Sequence, residues 1–149
     1  MIIFMLIFYE NDEFVVLCLN FIANMQVYEA VKYAINVYNH ANSGNPYLTN
    51  IMFGFKAYDT CYSTTQAINA MESLFPQLTT SSSFCQQNSS LLVGLVGPLS
   101  SSTAKSVAEF GGQYGVSIVS PAARDPALSN KNKYPTFVRT VPSYSVFAK

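Results

Sequence analysis

Residues 91–96, Leu-Leu-Val-Gly-Leu-Val, form a short run with almost no polar interruption, and this run limits the possible folds more than any other segment. Six such residues fit a strand covered on both faces, as in a parallel sheet, rather than an alternating strand with one wet side. Gly97 and Pro98 end the run, and Ala104, Val107, Ala108, Gly111 and Tyr114 then recur at three- and four-residue intervals, which predicts a helix. Further strands are expected at 116–120 and 137–141. Upstream, Val27, Ala30, Val31, Ala34, Ile35, Val37 and Tyr38 draw a helical stripe over 26–42, stopped by Ser43-Gly44-Asn45-Pro46. Residues 51–58 are rich in β-branched and aromatic side chains and read as a strand. A second stripe follows through Ala67, Ile68, Met71, Leu74 and Phe75, and 79–83 is a polar loop.

Strands and helices alternating at these lengths imply right-handed crossovers and an α/β fold with a doubly wound, mostly parallel sheet. In open sheets of this kind ligands sit beyond the carboxyl ends of the strands. That directs attention to 97–103 and 120–125.

A chain of 149 residues, half of them apolar, supports one core and one domain. Eight basic and eight acidic residues cancel, with no basic cluster, so nucleic acid is not an expected partner. Cys18, Cys61 and Cys85 have no CxxC or Cys/His spacing, and the lone His40 cannot complete a metal shell, so neither a metal nor a cofactor is expected. An odd cysteine count suits one internal disulfide with one cysteine free or joined to another chain. Asn88-Ser89-Ser90 is a glycosylation sequon, meaningful if the chain is secreted. Residues 1–24 are set apart from 25–149. Their apolar runs 1–9 and 14–21 are separated by Glu10, Asp12 and Glu13, are too short to span a bilayer, and lack the basic start and cleavage site of a signal peptide. They read as an atypical leader, either a degenerate signal or a mispredicted first exon.

The turn Gly97-Pro98-Leu99-Ser100-Ser101-Ser102-Thr103 joins a buried strand to a helix. It gathers hydroxyls, free backbone N–H groups and the positive end of a helix dipole, a setting for a carboxylate. Its alternative is plain helix capping by one serine. No Gly-Lys-Ser/Thr follows, so this is not a nucleotide loop. Arg124 follows the next strand and faces two alternatives, a bidentate contact to a ligand carboxylate or a local ion pair with Asp125. For catalysis, no serine sits in a GxSxG elbow and His40 ends the first helix, where a solvated cap is the simpler role. Glu29, Asp59, Glu72 and Glu109 are scattered singly, so no acid/base pair is expected.

From about Cys18 onward the chain resembles the ligand-binding region of class C G-protein-coupled receptors, the group of calcium-sensing, metabotropic, taste and pheromone receptors. Three pieces carry the resemblance: 54–61 (Gly-Phe-Lys-Ala-Tyr-Asp-Thr-Cys), 97–103, and 127–132 (Ala-Leu-Ser-Asn-Lys-Asn) continuing into 137–143 (Phe-Val-Arg-Thr-Val-Pro-Ser). It implies part of lobe 1 of a Venus-flytrap, periplasmic-binding-protein-like (type I) fold. It implies a Cys61–Cys18 disulfide, worth roughly 3–4 kcal/mol for a loop of that length on the chain-entropy model, and an interchain role for Cys85. The ligand's α-carboxylate would be held at Ser100, Ser101 and Ser102, with Ser101 central, and by the segment Ala122, Ala123 and Arg124. Relatives carry a small hydroxyl residue where Arg124 stands, so a simple amino acid fits less well. Val27 stands where glutamate-binding relatives place an arginine, which disfavours glutamate.

The implied protein is an extracellular plasma-membrane receptor module that binds a small amino-acid-like or anionic ligand and forms a homo- or heterodimer through lobe 1. A G protein would engage only through a membrane domain that this sequence does not contain. The alternatives are the ligand-binding region of a receptor guanylate cyclase, a soluble solute-binding protein, or a non-functional truncated fragment.

Overall fold

The computed structural model describes residues 2–8, 14–16, 22–42, 52–74 and 91–146. In chain order they form β1 (Ile2–Phe8), β2 (Phe14–Val16), α1 (Ile22–Asn42), β3 (Met52–Tyr58), α2 (Thr64–Leu74), β4 (Leu91–Val96), α3 (Ser101–Gln113), β5 (Ser117–Ser120), a 3-10 turn (Pro126–Ser129), β6 (Phe137–Arg139) and a second 3-10 turn (Tyr144–Val146). No helix among the described residues is long and apolar enough to cross a membrane.

The six strands lie in one sheet in the order β2-β3-β1-β4-β5-β6. The pairs β2/β3, β4/β5 and β5/β6 are parallel, as expected of crossover connections. β1 differs. It lies between β3 and β4 and runs antiparallel to both. The stretch 1–24, set apart in the sequence as a leader, thus contributes β1, β2 and the first turn of α1. An uninterrupted apolar run suits the centre of a sheet, but hydrophobicity carries no information about strand direction. Because β3, β4, β5 and β6 all point the same way, the segments that follow them emerge along one edge.

Neighbouring residues on β4 separate the two layers. Leu95 packs with α2 and α3, whereas Val96 packs with α1, because successive side chains on a strand face opposite ways. On the first face Leu95, Ile118 and Phe137 stand opposite one another across β4, β5 and β6. Ala67 and Met71 of α2 and Ala104, Val107 and Ala108 of α3 cover them. Gly111 lets α3 approach this closely, since a Cβ there would lie 2.7 Å from Ile118 Cδ1. The turn that follows α3 passes through Gly115, whose φ of +69° favours glycine, and the Val116 amide donates to the Gly111 carbonyl at 3.0 Å.

On the second face Tyr28 meets Phe55 edge to face, with ring centroids 5.5 Å apart, beside Ala57, Val31 and Ile35. The buried side of α1 is narrower than its apolar stripe, because Ala30, Ala34 and Val37 are exposed. Asn39 fastens α1 to β3: its amide donates to the Phe53 carbonyl (2.8 Å) and its oxygen accepts from the Phe53 amide (3.0 Å).

Candidate functional site

The two segments singled out beyond the strands meet at Ser101. Its Oγ accepts from the backbone N–H of Arg124 (3.1 Å) and of Asp125 (3.3 Å). A hydroxyl has two acceptor positions and one proton, so these bonds fill the lone pairs and leave the O–H of Ser101 to donate. Ser100 occupies the N-cap position of α3 but makes no side-chain cap bond. Its hydroxyl is shared with that of Ser102 at 2.8 Å. The capping alternative is therefore not realised, and the first-turn amides of Ser101, Ser102 and Thr103 have no acceptor among the described residues. Thr103 is fully buried, and its hydroxyl has no partner among the described residues either.

Ser120, at the end of β5, braces this arrangement. It is fully buried, donates to the Pro98 carbonyl at 2.6 Å and accepts from the amides of Ala123 (3.0 Å) and Ala122 (3.4 Å). One hydroxyl thereby ties the turn after β4 to the turn after β5. Ala123 is buried in the core and meets the site only through its backbone, while Ala122 is exposed. The type of residue 120 is unremarkable in the sequence. Only its position at a strand end hints at this role.

The ion pair expected between Arg124 and Asp125 is not formed. Asp125 pairs with Lys105 on α3 and accepts from the Ala127 amide at 2.8 Å, capping the 3-10 turn. Adjacent residues on an extended backbone point apart, and Asp125 has φ −57° and ψ 129°. Arg124 makes no ion pair with a described residue. Its carbonyl accepts from the Tyr144 amide (3.0 Å) and from Ser143 Oγ (3.4 Å). The Lys105 ammonium, followed by the Ala127 amide, holds the Asp125 carboxyl below its ordinary range. Lys105→Met should raise that value toward the usual 3.8, read as an upward shift of the Asp125 carboxyl titration by NMR. A group with a lowered folded value stabilises above its unfolded value and loses that contribution as pH falls through the folded one. The variant should therefore also show a smaller loss of stability on acidification, and an unmoved titration would mean that Lys105 is not the controlling partner.

Other singled-out residues lie away from this junction. His40 is in the last turn of α1, with Nδ1 2.8 Å from the Asn36 carbonyl. Glu109 pairs with Lys133 at 3.3 Å, and Asp59 accepts from the Cys61 amide at 2.9 Å. Val27 is half-buried against the α1 cluster. Cys61 is exposed and disulfide-bonded. Cys18, Cys85 and Asn88 lie outside the described residues.

A sheet with helices on both faces, and hydroxyl and amide donors gathered past the carboxyl ends of its parallel strands, defines an α/β ligand-binding lobe. The model of the receptor family ligand binding region matches residues 26–149, and the chain belongs to that family. It is 31% identical to the human (Homo sapiens) extracellular calcium-sensing receptor over 108 residues, covering 68% of this chain and 10% of that protein. Over 120 residues it is 28% identical to mouse (Mus musculus) taste receptor type 1 member 1, covering 78% and 14% respectively. Over 100 residues it is 34% identical to G-protein coupled receptor family C group 6 member A of Carassius auratus, covering 63% and 11%. The chain thus spans about a tenth of the length of these relatives. It is a class C receptor ligand-binding region, a part of such receptors on the extracellular side of the plasma membrane. These relatives are receptors, not enzymes.

Proposed function

We propose that this chain supplies the lobe 1 anion contact of a class C receptor, holding the carboxylate of a small amino-acid-like or otherwise anionic ligand. The observation that carries the reading is the Ser101 hydroxyl, whose acceptor positions are filled by the Arg124 and Asp125 amides, leaving only a donor. The first-turn amides of α3 add further donors and a favourable dipole for negative charge. Ser100 and Ser102 flank the contact, and Ala122, Ala123 and Arg124 form its far side. The chain acts as a binding module without catalysis of its own.

In this reading ligand binding biases the closure of two lobes and the arrangement of a dimer, with a G protein engaged through a membrane domain outside this sequence. Tyr33 and Val37, exposed on α1, support a homo- or heterodimer contact on this lobe. Cys18 is the proposed partner of Cys61, Cys85 the proposed bridge between subunits, and Asn88 the proposed glycosylation site.

The test is Ser101→Ala in a full-length receptor carrying this region, with a panel of L-amino acids as agonists and cell signalling as the readout. Loss of one hydrogen bond to a charged group costs about 1.5–3 kcal/mol, so the half-maximal concentration should rise roughly tenfold to a hundredfold. Ser101→Thr, which keeps the hydroxyl, should retain most of the response. An unchanged response at normal surface expression would return these serines to a structural role.

A further inference from the structure

We propose that Arg139 is a positioning residue for the Ser101 hydroxyl, acting through the turn that carries the amides of Arg124 and Asp125. The inference rests on the reading of Ser101 as the ligand's donor. Arg139 closes β6 and is half-buried. One of its terminal nitrogens donates to the carbonyl of Asp125 (2.9 Å) and more weakly to that of Ala123 (3.4 Å), and the other donates to Ser129 Oγ. The two carbonyls bracket Arg124 and Asp125, whose N–H groups fill the lone pairs of Ser101.

This turn lies between the end of β5 and the 3-10 turn that begins at Pro126; the Asp125 carbonyl also accepts from the Leu128 amide of that turn (3.2 Å), but no sheet ladder or helix holds the peptide units before it. The Arg139 fork, with the Ser143 and Tyr144 bonds to the Arg124 carbonyl, supplies that restraint from the β6 side. A planar guanidinium presents its N–H groups in a rigid fork and can serve several acceptors together, whereas an ammonium is a compact point charge on a flexible stem. Without the fork the peptide units at 123–125 can rotate, and the bonds that aim the Ser101 O–H are lost. Ser101 and Arg139 are thereby connected across β5 without touching.

The test is residue-resolved amide hydrogen exchange on the 149-residue chain, comparing the unmodified protein with Arg139→Ala and Arg139→Lys. The Arg124 and Asp125 amides should exchange about tenfold or more faster in Arg139→Ala, with Arg139→Lys intermediate, while the Ile118 amide, bonded to the Thr136 carbonyl, changes little. Unchanged exchange at 124 and 125 overturns the proposal. So does an equal acceleration at Ile118, which would make Arg139 a general stabiliser only. If Arg139→Ala does not fold, Arg139→Lys decides alone by the same comparison. Failure of the ligand reading would appear elsewhere, as an unchanged agonist response in Ser101→Ala, and would leave the exchange result standing.

Discussion

Phe137→Ala is expected to lower unfolding stability by about 3–5 kcal/mol, the largest effect of any single truncation considered. Phe137 is 1% exposed and is the largest fully buried side chain among the described residues. It completes the row that runs from Leu95 through Ile118 under α3. Its removal takes away the transfer energy of a whole ring and leaves a void that the flanking strand, held on both sides by backbone ladders, cannot collapse to fill. Denaturant titration of variant and parent gives the difference directly, and a chain of this size should lose roughly 10 °C in midpoint. A loss below about 1 kcal/mol would mean that β6 is not packed against this face. Because Arg139 lies two residues along the same strand, the variant should also loosen the turn that carries Arg124.

Ser120→Ala follows, at about 2–4 kcal/mol. The substitution removes no appreciable apolar surface, so ordinary packing arguments predict almost nothing. The effect arises from what is left behind. The Pro98 carbonyl loses its donor and the Ala123 amide its acceptor, in a region that is buried and closed to water. Each orphaned group carries a desolvation cost of order 1–3 kcal/mol. On the proposed reading the cost should be accompanied by a weakened ligand response, since the same hydroxyl joins the two turns of the candidate site. Urea unfolding combined with the agonist assay separates the outcomes. A neutral Ser120→Ala would show that water replaces the hydroxyl, and the brace between the turns would then have to be sought elsewhere.

The elements of the fold were largely visible in the sequence. β4 at 91–96 and α3 from Ser101 follow from one apolar run and one helical stripe, because burial on both faces and a 3.6-residue period leave direct marks on residue order. The first strand was not legible in this way. The apolar stretch 2–8 has the composition of a leader as much as of a strand, and its ladders with β3 and β4 join it to residues far along the chain.

The candidate site divides similarly. The segment 97–103 could be singled out because it follows a buried strand and opens a helix, and the resemblance to class C receptors implied Ser101 as its central residue. Its bonding could not, since its partners are 23 and 24 residues away. The Arg124–Asp125 pair is the instructive error. Adjacency in sequence suggested a partner that backbone geometry turns aside, and Lys105 on another element took the place.

Residue order alone carried the α/β class, the order of strands and helices from β3 onward, and the family. All of these depend on periodicity and on short local motifs. The direction of β1, the filling of Ser101 by two distant amides, the brace at Ser120 and the clamp from Arg139 emerge only once the chain is folded. Each of those depends on which groups meet across strands, and hydrogen bonds are satisfied by proximity in space, whatever their separation along the chain.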